Sequence, residues 1–172
     1  MSSAELQSSE MAIFCAETYN QNMSLRKQIE DYLSKNIIMQ LATSKDNKPW
    51  CSNLHYAFDD KLNLYWMSLQ NCRHSQEVAA NDQVAITVAK PHAPGERPQG
   101  LQFEGTASIA EDFEQAFSIY MERYPHWLFK EEELRRGGRE DRALYKFTPT
   151  RIVMFDVANH PDNPKQELLL KT

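Results

Sequence analysis

Apolar residues recur along the chain with two different periods, and each change of period marks an element. Leu25, Ile29, Tyr32 and Leu33 follow one another at helical spacing, which puts them on one face of a helix. Ser24 supplies an N-cap for it and Asn36 a stop. The period then drops to two. Ile37 to Thr43 and Trp50 to Phe58 read as strands on either side of a polar turn, Lys45 to Pro49. In the second strand Trp50, Leu54, Tyr56 and Phe58 alternate onto one face, which predicts a core side. Cys51, Asn53 and His55 form the other face, polar enough to meet a ligand. Asp59-Asp60-Lys61 turns the chain into a further strand, Leu62 to Ser68.

A break at Leu69 to His74 leads to a short helix, Ser75 to Ala80, ended by Asn81, and then to a strand from Gln83 to Lys90. Pro91, Pro94, Gly95 and Pro98 make the next segment an exposed loop. Gly100 to Ala110 is a strand that sets Leu101 and Phe103 against Gln102 and Glu104. Glu111 and Asp112 suit the positive end of a helix carrying Phe113, Ala116, Phe117, Tyr120, Met121 and Tyr124, which stops at Pro125. Runs from Ala143 to Thr148 and from Arg151 to Val157 close the pattern. Residues 1–23 read as a loosely ordered extension, 24–157 as one domain and 158–172 as a tail.

These elements predict a mainly β fold, six strands in an antiparallel barrel with helices at its edges. A parallel doubly wound sheet would need a helix between nearly every pair of strands. Neither a dinucleotide-binding glycine fingerprint nor a P-loop occurs.

Composition narrows the picture. At 172 residues and 20.0 kDa the chain is long enough for a core of its own. A net charge of −5 leaves no excess of cations to displace counterions from nucleic acid. Apolar runs are too short to span a membrane, and the start, with Glu5 and Glu10 among serines, lacks the pattern of a secretory signal. Cys15, Cys51 and Cys72 form no CxxC pair, which fits reduced thiols in a cytoplasm. His92, His126 and His160 are too scattered to suggest a metal site.

The densest chemistry lies in YWMSLQNCRHSQEVAA, residues 65–80. A helix start presents unpaired backbone N–H groups, and Arg73 adds a charged planar fork, a combination suited to a phosphate monoester. A merely solvated Arg73 at an ordinary helix start fits the spacing equally, and both readings stay open. His55 could neighbour a ligand or be a structural histidine, and Gln102 and Glu104 could face a ligand or solvent. Trp127 with Phe129 could cover a site or pack. Asp59 and Asp60 sit in a turn, where catalysis is not expected. Arg135, Arg136, Arg139 and Arg142, interleaved with acids, read as a solvated face.

Taken in order, CSNLHYAFDD (51–60), LYWMS with CRHSQEVAAN (64–81), GLQFEGTA (100–107), ERYP (122–125) and TRIVMFD (150–156) resemble a known family. It is that of the pyridoxamine 5′-phosphate oxidase-like FMN-binding split barrels, and most closely a small, functionally obscure bacterial subgroup. The resemblance implies a homodimer with two FMN sites, each built from both chains. It implies that Ser52, Asn53, Leu54 and His55 run along the isoalloxazine and ribityl chain, and that Met67 and Ser68 lie beside the flavin. Arg73 and His74 grip the phosphate, and Gln102 is a further candidate for the flavin site. His74 stands where the family usually has lysine, so phosphate binding is expected to weaken as pH rises. The family's Arg-x-His for the vitamin phosphate is missing near the C-terminus, so pyridoxamine 5′-phosphate oxidation is not expected. The implied function is an FMN-dependent oxidoreductase acting on a small-molecule substrate or electron donor. The alternative is a non-enzymatic flavin or haem binder, with His160 as a loose axial candidate.

Overall fold

A computed structural model of the chain describes residues 24–126 and 141–170. Helix α1 covers residues 24–35. It is followed by β1 (Ile38–Lys45), β2 (Lys48–His55), β3 (Ala57–Phe58) and β4 (Leu64–Leu69). Then come α2 (Arg73–Ala80), β5 (Gln83–Ala89), β6 (Gln99–Ile109), α3 (Phe113–Arg123), β7 (Arg142–Asp156) and β8 (Lys165–Leu169). The strands form one antiparallel sheet in the order β2-β1-β5-β6-β7-β4-β3, with β8 also on β7. This is the split barrel that the sequence predicts.

The β1–β2 hairpin turns through Asp46 and Asn47 at φ 54° and 59°, the left-handed pair that a two-residue type I′ turn requires. The strand expected from Trp50 to Phe58 is interrupted at Tyr56, whose carbonyl accepts from Tyr124 Oη at 2.8 Å. The two closing runs are one strand of 15 residues, because β6 pairs along nearly all of β7. The ladder shifts register between Glu104 and Gly105, opposite Pro149, which has no N–H to give. β8 lies within residues 158–172, read from sequence as a tail.

The inner face carries the main core. Val84, Ile86 and Val88 are buried while Ala85, Thr87 and Ala89 are exposed. They meet Leu101, Phe103, Phe147, Ile152 and the α1 stripe of Leu25, Ile29, Tyr32 and Leu33. Tyr32 Oη donates to Gln99 O at 3.0 Å, and Tyr56 Oη to Leu33 O at 2.9 Å. On the outer side of β3, β4 and β7, α3 seats Ala116 and Tyr120 against Ala57, Tyr65 and Leu144. Asp112 caps α3 by accepting from Gln115 N at 3.0 Å. At its other end Arg123 donates to Leu33 O at 2.9 Å and Asn36 O at 2.5 Å, tying α3 to the end of α1.

Trp50 departs from its expected place in the core and is 44% exposed. Its alternation is right, but β2 is the edge strand and its hairpin half projects beyond the packed interior. Asp59 is engaged in its turn, accepting from Lys61 N and Asn63 N at 2.9 Å and from Tyr65 Oη at 2.9 Å. Cys15, Trp127, Phe129, Arg135, Arg136 and Arg139 lie outside the described residues. Among the described residues no helix is long and apolar enough to cross a membrane.

Candidate functional site

β2 and β4 supply the site because their alternation sends chosen side chains inward. The β1–β2 register sets Met39 opposite Leu54 and Leu41 opposite Ser52. Met39 and Leu41 are buried, so Ser52 and Leu54 share the inner face. In β4, Trp66 stacks on Tyr145 inside the barrel with ring centroids 5.2 Å apart. Ser68, two residues on, points the same way, while Met67 turns outward against the α3 cluster.

The chain leaves β4 through Leu69 and enters α2 already at Arg73. Cys72, the N-cap, is extended at φ −76° and ψ 158°, makes no side-chain capping bond, and no acid lies in the first turn. The first-turn N–H groups thus keep the positive end of the helix for an outside acceptor.

His74 turns inward. Its Nε2 lies 2.6 Å from Ser68 Oγ and its Nδ1 3.3 Å from Ser52 Oγ. Cys72 Sγ sits 3.2 Å from Nε2 and from Ser75 Oγ, and donates to Leu69 O at 2.9 Å. Burial lowers the His74 pKa from its ordinary value, against the opposing pull of the Glu77 charge. The ring is therefore neutral at pH 7, one nitrogen donating and the other accepting, and serine hydroxyls can satisfy either tautomer.

Arg73 turns outward. Its Nε donates to Glu77 Oε1 at 2.7 Å, and its guanidinium carbon lies 4.2 Å from the centroid of the Trp50 ring. Glu77 is buried, and its other oxygen accepts from Thr43 Oγ1 at 2.5 Å. These two bonds, Thr43 first and then Arg73, hold the Glu77 carboxyl below the usual range. Because Glu77 takes Nε, the terminal Nη groups keep their donors for an anion.

Ser52, Ser68 and His74 are thus brought together, with Leu54 partly buried beside the core, while Arg73 stands on the outer side of the same helix start with Glu77 and Trp50. Asn53, His55 and Gln102 lie on the outer face instead. Asn53 pairs Gln40, Gln40 pairs Thr87 and Thr87 pairs Gln102, so the four form one row across the sheet. Gln102 also lines a shallow groove of about 300 Å³ with Ala85, Thr87, Glu104, Arg151 and Val153. His55 packs edge-on to Tyr124, with centroids 5.8 Å apart. Sequence reasoning missed Thr43, Glu77 and Cys72 as members of the site. Of these only Glu77 carried a signal, its four-residue spacing from Arg73 on a helix.

The donor set fits the phosphate of FMN: a helix start without a side-chain cap or acids, and a fork with two open groups. Among the described residues, no group of three or more His, Cys, Asp or Glu side chains could hold a metal ion.

Residues 25–155 match the family model for pyridoxamine 5′-phosphate oxidase. A UPF0306 protein of Pasteurella multocida is 31% identical over 107 residues, 60% of this chain and 72% of the relative. The crystal structure of General Stress Protein 26 from Bacillus anthracis superposes with a TM-score of 0.64 at 19% identity, over 85% of this chain and 98% of that one. A FAD-binding protein from Mesorhizobium loti superposes at 0.53 and 19% identity, over 72% of this chain and 88% of that one. At these identities the two structures establish the fold.

Proposed function

Because the chain belongs to the pyridoxamine 5′-phosphate oxidase family and to the UPF0306 proteins, we propose that it is an FMN-binding flavoprotein, a cytoplasmic oxidoreductase acting on a small molecule. The observation that carries this reading is the start of α2, uncapped, free of acids and flanked by Arg73. The Arg73 Nη groups and the first-turn N–H groups hold the phosphate. On the barrel side of the same helix start, neutral His74 lies between the hydroxyls of Ser52 and Ser68. His74 therefore orients hydroxyls rather than adding a second cation. The flavin, when bound, supplies the hydride or electron transfer. No side chain of this cluster is assigned as a catalytic acid or base, since such transfer depends on position more than on a nucleophile. The FAD-binding relative supports a flavin as the ligand class.

The same reading makes the protein a homodimer joined through the outer sheet face. Across β2, β1, β5 and β6 that face presents Cys51, Asn53, Gln40, Ala42, Ala85, Thr87 and Gln102; the formal charge on these strands is Glu104, which pairs with Arg151 of β7. Depletion of charge of this kind marks the core of an interface. The haem alternative has a structural neighbour as well, a haem-binding protein from Mycobacterium smegmatis at a TM-score of 0.60 and 13% identity over 78% of this chain and 53% of that one. Its axial candidate is engaged elsewhere: His160 Nε2 lies 3.0 Å from Gln28 Oε1 and has no part in the cluster. Pyridoxamine 5′-phosphate turnover is not expected.

A fluorescence titration with FMN and riboflavin tests the phosphate assignment. Arg73→Ala loses about tenfold to hundredfold in FMN affinity, the value of a charge-assisted contact, and leaves riboflavin affinity unchanged. Equal losses for both ligands would make Arg73 a support of the fold and defeat the assignment.

A further inference from the structure

A separate cavity of about 330 Å³ lies at the far end of α2, between that helix and the sheet. This is the lower end of the range that small-molecule sites occupy. Val78 and Ala79 of α2 line it on one side, and Ala107 and Ile109 of β6 on the other. Tyr145, buried and stacked on Trp66 at 5.2 Å, gives it a fixed aromatic wall. Ile109 is 50% exposed, a large apolar side chain that the fold leaves uncovered at the cavity.

Charge then narrows what can enter. Among the described residues that line the cavity, Asp82 alone carries a formal charge. Its main-chain oxygen accepts from Ala107 N at 2.9 Å, which pins this residue to β6. The helix ends at the same place. Asn81 N donates to Glu77 O at 2.8 Å, and no basic side chain stands in the last turn. The negative end of α2 is therefore unanswered and adds to the carboxylate. A phosphate or carboxylate would meet repulsion here, whereas a cation with an apolar body satisfies both the walls and the charge.

We infer that this cavity is a binding site for a small organic monocation, a protonated amine carried on a single apolar ring. The ring lies against Tyr145 and Ile109, and the ammonium meets Asp82 and the end of α2. The site stands whether or not a flavin phosphate is held at the other end of the helix.

The full-length protein is titrated with phenylpropylammonium, phenylpropanol and phenylpropanoate at neutral pH, following backbone amide shifts by NMR. Shifts centre on the end of α2, on β6 and on Tyr145. The ammonium binds about tenfold more tightly than the alcohol, the combined scale of one surface ion pair and one helix end, and the carboxylate binds weakest. Asp82→Asn reduces that preference to about twofold, the share left to the helix end, and leaves the affinity of the alcohol unchanged. Ala79→Leu, at an exposed helical position that accepts leucine, fills the cavity and abolishes binding of both. No binding by any probe, shifts centred elsewhere, or binding that survives Ala79→Leu would overturn the site. An alcohol or carboxylate bound as tightly as the ammonium, or a preference untouched by Asp82→Asn, would overturn the assignment of a cation.

Discussion

Arg73 and His74 are neighbours in sequence but serve opposite surfaces. Successive residues of a helix project about 100° apart, so at the start of α2 one side chain reaches solvent and the other enters the barrel. The sequence places a cation pair at a helix start. It does not reveal that His74 finds Ser52 and Ser68, which come from two different strands. Glu77 showed only its four-residue spacing from Arg73; its burial stayed hidden, because a buried carboxylate is recognised by its partners and Thr43 lies 34 residues away. The burial of His74 has a definite sign in pH. Its folded pKa lies below the ordinary 6.5, so the unfolded chain binds the proton first. Stability is thus full above about pH 6.5 and declines as pH falls from there through the folded value. Thermal unfolding between pH 5 and 8 should show that decline in the wild type, and His74→Gln should remove its share of it. A wild-type profile flat over this range would contradict a half-buried neutral imidazole. The same shift refines the expectation for FMN, whose binding should be level between about pH 7 and 8 and change only in the acid range where His74 charges.

Elements with a long apolar period were legible, and those defined by a distant partner were not. The α1 stripe, the β5 alternation and the α3 face are all found where the periodicity places them. The interruption at Tyr56 arises from a hydroxyl 68 residues away, and β8 is a strand only because half of β7 lacks another neighbour on that side. The crossing of β6 and β7 gives a sharp test. A Cβ at Gly105 would lie 2.2 Å from Thr148 O and 2.9 Å from Pro149 Cα, and backbone atoms cannot swing aside. Gly105→Ala should cost about 1–3 kcal/mol in denaturant unfolding; an unchanged midpoint would mean the strands do not cross so closely. Arg123→Ala should cost a comparable 1.5–3 kcal/mol or so, because it releases the carbonyls at the end of α1 from a charged donor. An α3 that stays fully protected from hydrogen exchange in this variant would argue against the tie.

At the scale of the whole molecule, the proposed function uses two surfaces: the rim where α2 begins, and the outer face of β2, β1, β5 and β6, whose formal charge is Glu104, paired with Arg151 on β7. If the outer sheet joins two copies, Ala42→Arg or Thr87→Arg buries unpaired charge in the interface and yields monomers by light scattering. Both positions are exposed within one chain, so the fold of each protomer should survive. A dimer mass unchanged in both variants would move the interface elsewhere. The central claim, that this barrel is built to hold a flavin by its phosphate, is tested most directly by the visible spectrum of the purified protein after incubation with flavin and removal of the excess. The account predicts flavin absorption that stays with the protein at about one equivalent per chain, and a flavin phosphate released on denaturation. A colourless protein that retains no flavin, or a spectrum with haem bands in its place, would contradict it.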